Sequence, residues 1–220
     1  MEKVKTLGKV YLEKDVLTAA KERLAWIFAH FEAVYLAASG GKDSSVMVQL
    51  ADLVARPLGR RFDVLYIDME AQYAHTIAHI QELKTLPSID RFYHVALPLA
   101  LRNAVSTLQP KWICWDEDER DLWVREMPED AICAANCPWE WFHKGMEFEE
   151  FVKEFAIWYQ QEKGVPIACG IGIRADESLN RFSTIAFAQR KTELCGLHWT
   201  TRIADGVYNF YPIYDWRCED

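Results

Sequence analysis

The segment from Ser39 to Ser44 has the residue types and order of a site that binds a phosphate group. It reads Ser-Gly-Gly-Lys-Asp-Ser and follows a short apolar run at residues 34–38. Adjacent glycines let the backbone approach a phosphate closely. The start of a following helix offers unpaired N–H groups and a favourable dipole. Lys42 adds a positive charge and the two serines add hydroxyl donors. We call residues 39–44 the anion cradle.

The spacing of the glycines distinguishes the cradle from the common P-loop, which reads Gly-x-x-x-x-Gly-Lys-Ser/Thr. Here the glycines are adjacent and Asp43 follows the lysine. The simpler alternative is a Gly-Gly turn that only starts a helix. Six fitting residues between a strand and a helix favour a nucleotide site over that alternative.

A second group of charged residues follows another predicted strand. Gly172, Arg174 and Arg181 lie where a strand at 165–172 gives way to a helix at about 176–190. Arginine suits phosphate because its planar guanidinium makes paired, charge-assisted hydrogen bonds. The alternative is a structural pairing with nearby acids such as Glu177. Because the anion cradle is also present, we favour a functional role for Arg174 much more strongly than for Arg181.

The elements that must position these residues alternate along the chain. The hydrophobic pattern predicts helices and strands in turn, which indicates right-handed βαβ units and a mostly parallel sheet with helices on both faces. Ligands of such sheets bind at the carboxyl ends of the strands. We therefore expect a three-layer α/β/α domain over residues 1–220 with about five strands. The predicted helices cover about 13–32, 44–55, 71–86, 147–163 and 176–190, and the strands 34–38, 62–68, 91–97, 165–172 and a hairpin at 200–203 and 207–211.

The stretch from about residue 98 to 146 breaks this alternation. It holds five of the nine tryptophans and an acidic run from Asp116 to Asp130. We predict an insertion whose tryptophans serve core or lid packing more often than base stacking. Its acidic run is predicted to be a solvated loop.

Composition limits the class of protein. Half of the 220 residues are hydrophobic and the formal net charge is −8. This charge argues against a stand-alone nucleic-acid binder. No apolar run is long enough to span a bilayer, and the N-terminus lacks the core of a signal peptide. We expect a cytoplasmic protein that does not contact a membrane, and thiols that are reduced.

The six cysteines contain no Cys-x-x-Cys pair. Cys133 and Cys137 are four residues apart, and Cys114 and His143 could complete a set of four zinc ligands. We favour buried or incidental thiols over a metal or iron–sulfur site.

Several blocks resemble the phosphoadenosine phosphosulfate reductases and their ATP-using relatives, in the adenine nucleotide α-hydrolase superfamily. The cradle resembles the pyrophosphate loop of PP-loop ATPases, which cleave ATP between the α and β phosphates. Further blocks are Asp68 to Thr76, Gly172 to Arg181, and Pro-Ile-Tyr-Asp-Trp at 212–216. The Gly-Gly-Lys-Asp form is more similar to ATP pyrophosphatases and sulfate adenylyltransferase small subunits than to the reductases.

The resemblance implies that the chain binds Mg–ATP and cleaves it to AMP and pyrophosphate. Lys42, Arg174 and Asp68 are then the expected catalytic residues, and Asp43 and Asp68 the expected magnesium ligands. The expected nucleotide-binding residues are Ala37, Ala38, Ser39, Gly40, Gly41, Lys42, Asp43, Ser44, Ile67, Gly172, Arg174 and Arg181.

The resemblance extends to a bacterial branch linked with sulfur transfer and DNA phosphorothioate modification. It implies partner proteins of such a pathway, a cysteine desulfurase by analogy, with DNA presented only by partners. Three alternatives stay open: a thiol-dependent phosphosulfate reductase using Cys195 or a missing C-terminal cysteine, a sulfate adenylyltransferase subunit that needs a GTPase partner, and a regulator that binds ATP without turnover. The chain ends where relatives tend to continue, which fits either a truncated chain or a short natural form.

Overall fold

The computed structural model describes residues 13–103, 108, 110–186 and 194–220. Within these ranges the chain alternates strands and helices, as the hydrophobic pattern predicts. The elements in chain order are α1 (Val16–His30), β1 (Ala33–Ala38), α2 (Lys42–Ala55), β2 (Phe62–Ile67), α3 (Ala74–Leu83), β3 (Ile89–Val95), β4 (Ala100–Arg102), β5 (Lys111–Ile113), a 3₁₀ segment (Glu117–Leu122), α4 (Phe148–Lys163), β6 (Ile167–Ile171), α5 (Leu179–Ala186), β7 (Thr200–Ala204) and β8 (Val207–Phe210).

The central sheet has six strands in the order β3-β2-β1-β6-β8-β7. All neighbouring pairs are parallel except β7 and β8, which form the predicted hairpin. The α/β fold class is therefore confirmed. The sheet exceeds the predicted five strands because β8 pairs with β6 in parallel and brings β7 with it. The carboxyl ends of β1, β2 and β6 thus lie side by side.

The sheet is covered on both faces. Leu36 of β1 is fully buried against a cluster that includes residues of α1 and α2, whereas its neighbour Tyr35 packs in a second cluster with residues of α4 and the insertion. Adjacent strand residues point to opposite faces. Strand β1 consequently reads as a continuous apolar run, typical of a strand buried on both sides.

The insertion is part of the second hydrophobic cluster. Trp115 and Trp139 are almost fully buried, which supports packing as the role of these tryptophans. The insertion also contains the antiparallel pair β4–β5, which the sequence pattern did not reveal. In its acidic run the side chains at 117–121 are exposed, as expected, but Asp116 is buried.

Helices α1, α3 and α5 each begin later than the sequence predicts. Helix α3 begins at Ala74 rather than at about Ala71, because Tyr73 has an extended backbone (φ −65°, ψ 143°) and forms the N-cap. Helix α5 begins at Leu179, and the predicted residues 187–190 lie outside the described ranges. None of the helices in the described ranges combines the length and apolarity that crossing a membrane requires.

Candidate active site

The anion cradle connects the carboxyl end of β1 to the first turn of α2. Gly40 has a φ of +75°, and a Cβ at this position would lie 2.5 Å from Thr76 Cγ2 on α3. Only glycine combines that backbone conformation with that lack of space. The local strand, turn and helix are those that the sequence predicts.

The two cradle serines hold the loop in shape. Ser44 Oγ accepts a hydrogen bond from the Ser39 N–H at 3.1 Å and donates to the Gly41 carbonyl at 3.0 Å. Ser39 Oγ lies 3.0 Å from Ser44 Oγ. Neighbouring Ser45, which the motif analysis did not single out, also donates to Gly41 O at 2.8 Å. The hydroxyls therefore order the backbone that would meet a ligand.

The start of α2 is left open for an anion. Its N-cap is Gly41, and no side chain in the described part of the chain caps it. The first N–H groups of a helix have no partner within the helix. Lys42 opens the helix with an exposed side chain. Unsatisfied donors, the helix dipole and a lysine thus lie at one place, and all of them favour negative charge.

Gly172 brings the loop after β6 against this helix start. A Cβ on Gly172 would lie 2.8 Å from Ser44 Cα and 3.0 Å from the Asp43 carbonyl oxygen. The absence of a side chain lets the two backbones touch. The two groups of residues that the sequence analysis singled out therefore meet.

Arg174 lies at the same junction and is only 4% exposed. Its Nε lies 3.0 Å from Asp43 Oδ1, but the N–H is not aligned, so this nitrogen has no hydrogen-bond partner in the described ranges. The contact is an ion pair without hydrogen-bond geometry. Burial lowers the pKa of the guanidinium, but the contacts with Asp43 and Cys218 together outweigh burial and raise it. Arg174 is therefore a permanent positive charge beside the cradle.

Cys218 is a site residue that the motif analysis missed. Its Sγ lies 3.4 Å from Lys42 Nζ and 3.5 Å from an Arg174 terminal nitrogen. Contact with Lys42, followed by contact with Arg174, lowers the pKa of the thiol. A thiolate is the form these two cations stabilise. The preceding block at 212–216 was the only sequence signal for this placement.

Asp68 follows β2 at the same edge of the sheet but is 2% exposed. Its Oδ2 lies 3.1 Å from His94 Nε2, and Arg125 of the insertion donates to its Oδ1. Burial raises the pKa of Asp68, but the hydrogen bonds from His94 and Arg125 outweigh burial and lower it. Asp68 is an ionised carboxylate with both oxygens engaged by protein groups.

Glu70 fixes the insertion to this network. Its Oε2 accepts a hydrogen bond from the Trp115 N–H at 2.7 Å, and its Oε1 accepts one from the Val124 N–H at 3.2 Å. The Trp115 indole N–H donates to the Asp68 carbonyl at 2.8 Å, and the Arg125 guanidinium lies 4.7 Å from the Trp115 ring centroid. The insertion thereby closes over the end of β2.

The remaining residues predicted for the site lie away from the junction of the cradle with Gly172 and Arg174, or at its edge. Ala38 and Ile67 are buried at the ends of β1 and β2, and Ala37 is half-buried. Arg181 is exposed on α5 and lies 3.7 Å from Glu177, as in the structural alternative. Cys195 is exposed with a positive φ of 52°, and in the described part of the chain it forms no hydrogen bond with Lys42 or Arg174.

The carboxylates expected to bind magnesium do not form a cluster. Asp43 faces Arg174, and Asp68 faces His94 and Arg125. Across the described residues, no three His, Cys, Asp or Glu side chains are arranged to hold a metal ion. This includes the cysteines considered for zinc: Cys114 is buried, and burial raises its pKa to about 12. Asp43 could supply one oxygen to a metal that ATP itself carries, whereas Asp68 does not fit this role.

Two sequence comparisons with known proteins give a match. Residues 33–107 match the family model of the phosphoadenosine phosphosulfate reductase domain. The chain is 43% identical over 220 residues to YbdN of Escherichia coli, an uncharacterized protein, and the match covers 98% of this chain and 52% of YbdN. The chain thus spans about half the length of this curated relative.

A solved structure shows a weaker likeness. It is the U34-tRNA thiolase NcsA from Methanococcus maripaludis with its 4Fe–4S cluster, at a TM-score of 0.43 and 13% identity, over 96% of this chain and 63% of that one. These values are too low to bear on function. The family match covers the anion cradle and Asp68, and it rests on sequence alone. Residues 33–107 of this chain are therefore similar to a phosphoadenosine phosphosulfate reductase domain.

Proposed function

We propose that the chain binds ATP at the anion cradle and cleaves it between the α and β phosphates, to activate an acceptor for sulfur transfer. The observation that carries the proposal is the open start of α2, where an uncapped helix, Lys42 and buried Arg174 converge. The domain match supports nucleotide-dependent, sulfur-related chemistry in general. Cleavage of ATP between the α and β phosphates is more specific than that general chemistry and is our own proposal.

Each part of the cradle has a defined role in this reaction. The N–H groups of the first turn of α2 and the Lys42 ammonium hold the departing pyrophosphate. The guanidinium of Arg174 stabilises the negative charge that grows on the α-phosphate. The serine hydroxyls keep the loop in place through their contacts with the Gly41 carbonyl. A nucleotide phosphate would also separate Arg174 from Asp43 in part, because it competes for the same cation.

The reaction itself is a substitution at the α-phosphorus. An acceptor oxygen forms a bond to this phosphorus, the bond to the bridging oxygen breaks, and pyrophosphate leaves with the electron pair. The adenylated acceptor then loses AMP to a sulfur nucleophile. Water as acceptor gives AMP and pyrophosphate directly. Magnesium would travel with the phosphates, since it prefers oxygen ligands and keeps several waters.

The acceptor and the partners belong to the same proposal. The negative net charge favours an acceptor that a partner protein presents over direct capture of a nucleic acid. Phosphorothioate modification of DNA, with a cysteine desulfurase as sulfur donor, is one such arrangement that the sequence resemblance suggests.

The test is to incubate the purified chain with Mg–ATP and to separate the nucleotide products. We expect AMP and pyrophosphate from the wild type and a loss of about a hundredfold or more in Lys42→Ala, as for other charge-stabilising donors. Lys153→Ala, a change of an exposed lysine on α4, is the matched control and is expected to keep the activity. Equal product formation by Lys42→Ala and Lys153→Ala would refute the assignment.

The domain match itself favours a second candidate, the thiol-dependent reduction of a phosphosulfate. Release of sulfite from phosphoadenosine phosphosulfate in the presence of thioredoxin, without cleavage of ATP, would favour this candidate. ATP cleavage without sulfite release would exclude it in favour of the first.

A further inference from the structure

The last ten residues of the chain fold back over α1. The Arg23 guanidinium donates to both Asp215 oxygens, at 2.8 and 2.6 Å, and to the Pro212 carbonyl at 2.8 Å. The Trp216 indole N–H donates to the Val16 carbonyl at 3.2 Å. A paired arginine–carboxylate contact fixes both position and orientation. The segment is therefore held at a defined place on the molecule.

This anchoring delivers Cys218 to the cradle. The Ala175 N–H donates to the Tyr214 carbonyl at 2.8 Å, which ties the segment to the loop after β6. Three positions distant in sequence then meet, because Cys218 Sγ lies 3.4 Å from Lys42 Nζ and 3.5 Å from the Arg174 guanidinium. The thiol therefore lies near both Lys42 and Arg174, the two cations that a bound phosphate would contact.

Arg174 gives an independent indication that this place is built for an anion. Its side chain is only 5% exposed, and its buried Nε has no hydrogen-bond partner among the described residues. A buried donor without a partner is costly unless a ligand satisfies it. The Nε faces Asp43 Oδ1 at 3.0 Å, whereas a terminal nitrogen of the same guanidinium donates to Cys218 Sγ at 3.5 Å. Within the described residues, the buried guanidinium thus faces the Asp43 carboxylate on one side and the Cys218 thiol on the other.

We propose that Cys218 is a thiol-modification site inside the anion cradle, which takes up disulfides by exchange and competes with nucleotide phosphate for Lys42 and Arg174. In this step the Cys218 thiolate attacks one sulfur of a disulfide R–S–S–R. The Cys218–S–S–R bond forms, the original S–S bond breaks, and R–S⁻ leaves with the electron pair. The competition with nucleotide rests on the proposed function, whereas the reactivity of the thiol does not.

The charges around Cys218 support the thiolate. Lys42 faces it from α2 and Arg174 from the loop after β6. On its own segment, Glu219 pairs with Arg217 at 3.6 Å and Asp220 accepts the Arg217 N–H at 2.7 Å, so these acids are engaged by another residue. The cations lower the pKa of Cys218, which increases the reactive fraction at neutral pH. A group R attached there would fill the phosphate position and exclude the nucleotide.

The test uses dithiodipyridine, a neutral disulfide, so that the reagent is not itself attracted by the cations. The rates at Cys218 and at Cys195, the other exposed thiol, are measured separately by peptide mass mapping across a range of pH. We expect Cys218 to react at least about threefold faster at neutral pH, because the thiolate is the nucleophile. Lys42→Ala should slow Cys218 and shift its pH profile upward, Lys42→Arg should restore both, and Cys195 should be unaffected.

ATP or inorganic pyrophosphate should slow Cys218 and leave Cys195 unchanged. Equal rates at the two thiols, or a Cys218 rate that is the same in Lys42→Ala as in the wild type, would overturn the proposal. So would an unchanged Cys218 rate under conditions in which ATP binding is shown by a thermal shift. If Cys218 shows its Lys42-dependent reactivity but ATP is not cleaved, the proposed function fails and the thiol site stands. If ATP is cleaved but the reactivity of Cys218 does not depend on Lys42, the proposed function stands and the proposed thiol site is refuted.

Discussion

At the scale of single residues, the site depends on positions where no side chain fits. Gly172 is the clearest case, because its missing Cβ lets the loop after β6 touch the first turn of α2. Arg174 follows two residues later, so the same contact sets the distance between the guanidinium and the cradle. A backbone contact therefore controls the geometry of two charged groups.

Gly172→Ala is expected to impair nucleotide turnover more than folding. The added methyl would lie 2.8 Å from Ser44 Cα, so the start of α2 and Arg174 must move apart. Misplacement of this kind commonly costs roughly ten- to a hundredfold in rate. ATP cleavage and thermal unfolding are the measurements.

The control for this change is Gly164→Ala. Gly164 ends α4 with a φ of 67° and has open space around it. This change is expected to lower stability by about 1 kcal/mol through backbone strain and to leave turnover intact. Turnover reduced equally in both variants would show that Gly172 acts through stability alone.

The residue scale also shows which parts of the site were predictable from the sequence. The cradle was predictable because a strand, two glycines and a helix are written in adjacent residues. The partner of Lys42 was not, since Cys218 lies 176 positions away and no local pattern connects them. The hydrogen bond from Arg125 to Asp68 joins residues 57 positions apart and could not be predicted from the sequence either. A carboxylate after a strand suggests a ligand, but only tertiary structure shows whether its oxygens are occupied.

At the scale of elements, Glu70 is one of the side chains that attach the insertion to the sheet edge. Glu70 accepts hydrogen bonds from two N–H groups of the insertion, those of Trp115 and Val124. Its carboxylate thus orders the loop that carries Arg125 to Asp68. Glu70 has a positive φ of 65° and lies in the turn between β2 and α3.

Glu70→Ala is expected to loosen the insertion. A buried N–H of Trp115 would lose its acceptor, at a cost of about 1–3 kcal/mol. Limited trypsin digestion should therefore cut sooner after Arg120 and Arg125. Glu149→Ala, at an exposed position of α4, is the matched change and should leave the cleavage pattern as in the wild type. An unchanged pattern in Glu70→Ala would show that the hydrophobic contacts of the insertion suffice.

The C-terminal segment shows a second attachment of this kind. Arg23 of α1 holds Asp215, and this contact positions Cys218 three residues further on. Arg23→Gln removes the paired contact, so the Cys218 thiol should spend less time between Lys42 and Arg174. We expect the Cys218 rate with dithiodipyridine to fall toward that of Cys195. Arg202→Gln, which affects an exposed arginine whose contacts with Asp205 and the Ala204 carbonyl lie within the hairpin, should leave the rate unchanged.

At the scale of the whole molecule, the fold was predictable because the strand-then-helix pattern recurs several times along the chain. Alternating apolar strands and amphipathic helices indicate a parallel sheet wherever their exact ends lie. The sixth strand was harder to predict, because a hairpin shows antiparallel pairing and does not show that β8 also joins β6. The short strands β4 and β5, of three residues each, are too brief to produce a pattern.

The buried network around Asp68 links the site to the acid stability of the whole domain. The hydrogen bonds from His94 and Arg125 outweigh burial and hold the pKa of Asp68 below its usual value in the folded state. The unfolded chain, with an ordinary aspartate pKa of about 3.9, binds this proton more readily. The contribution of Asp68 to stability is therefore complete above about pH 4 and is lost as the pH falls through the lower pKa of the folded state.

Asp68→Asn is expected to remove this pH dependence as well as part of the stability. At neutral pH the variant should be less stable by about 1–3 kcal/mol, because Arg125 and His94 lose a charged acceptor. Below about pH 4 the difference should shrink, since Asp68 of the wild type then takes up a proton in the unfolded chain while the folded chain, with its lower pKa, still resists protonation. Urea unfolding at several pH values measures both effects, and exposed Asp121→Asn is the control. A stability difference that stays constant down to pH 2 would mean that Asp68 does not titrate with folding, and that the closure of the insertion over β2 depends on shape rather than on charge.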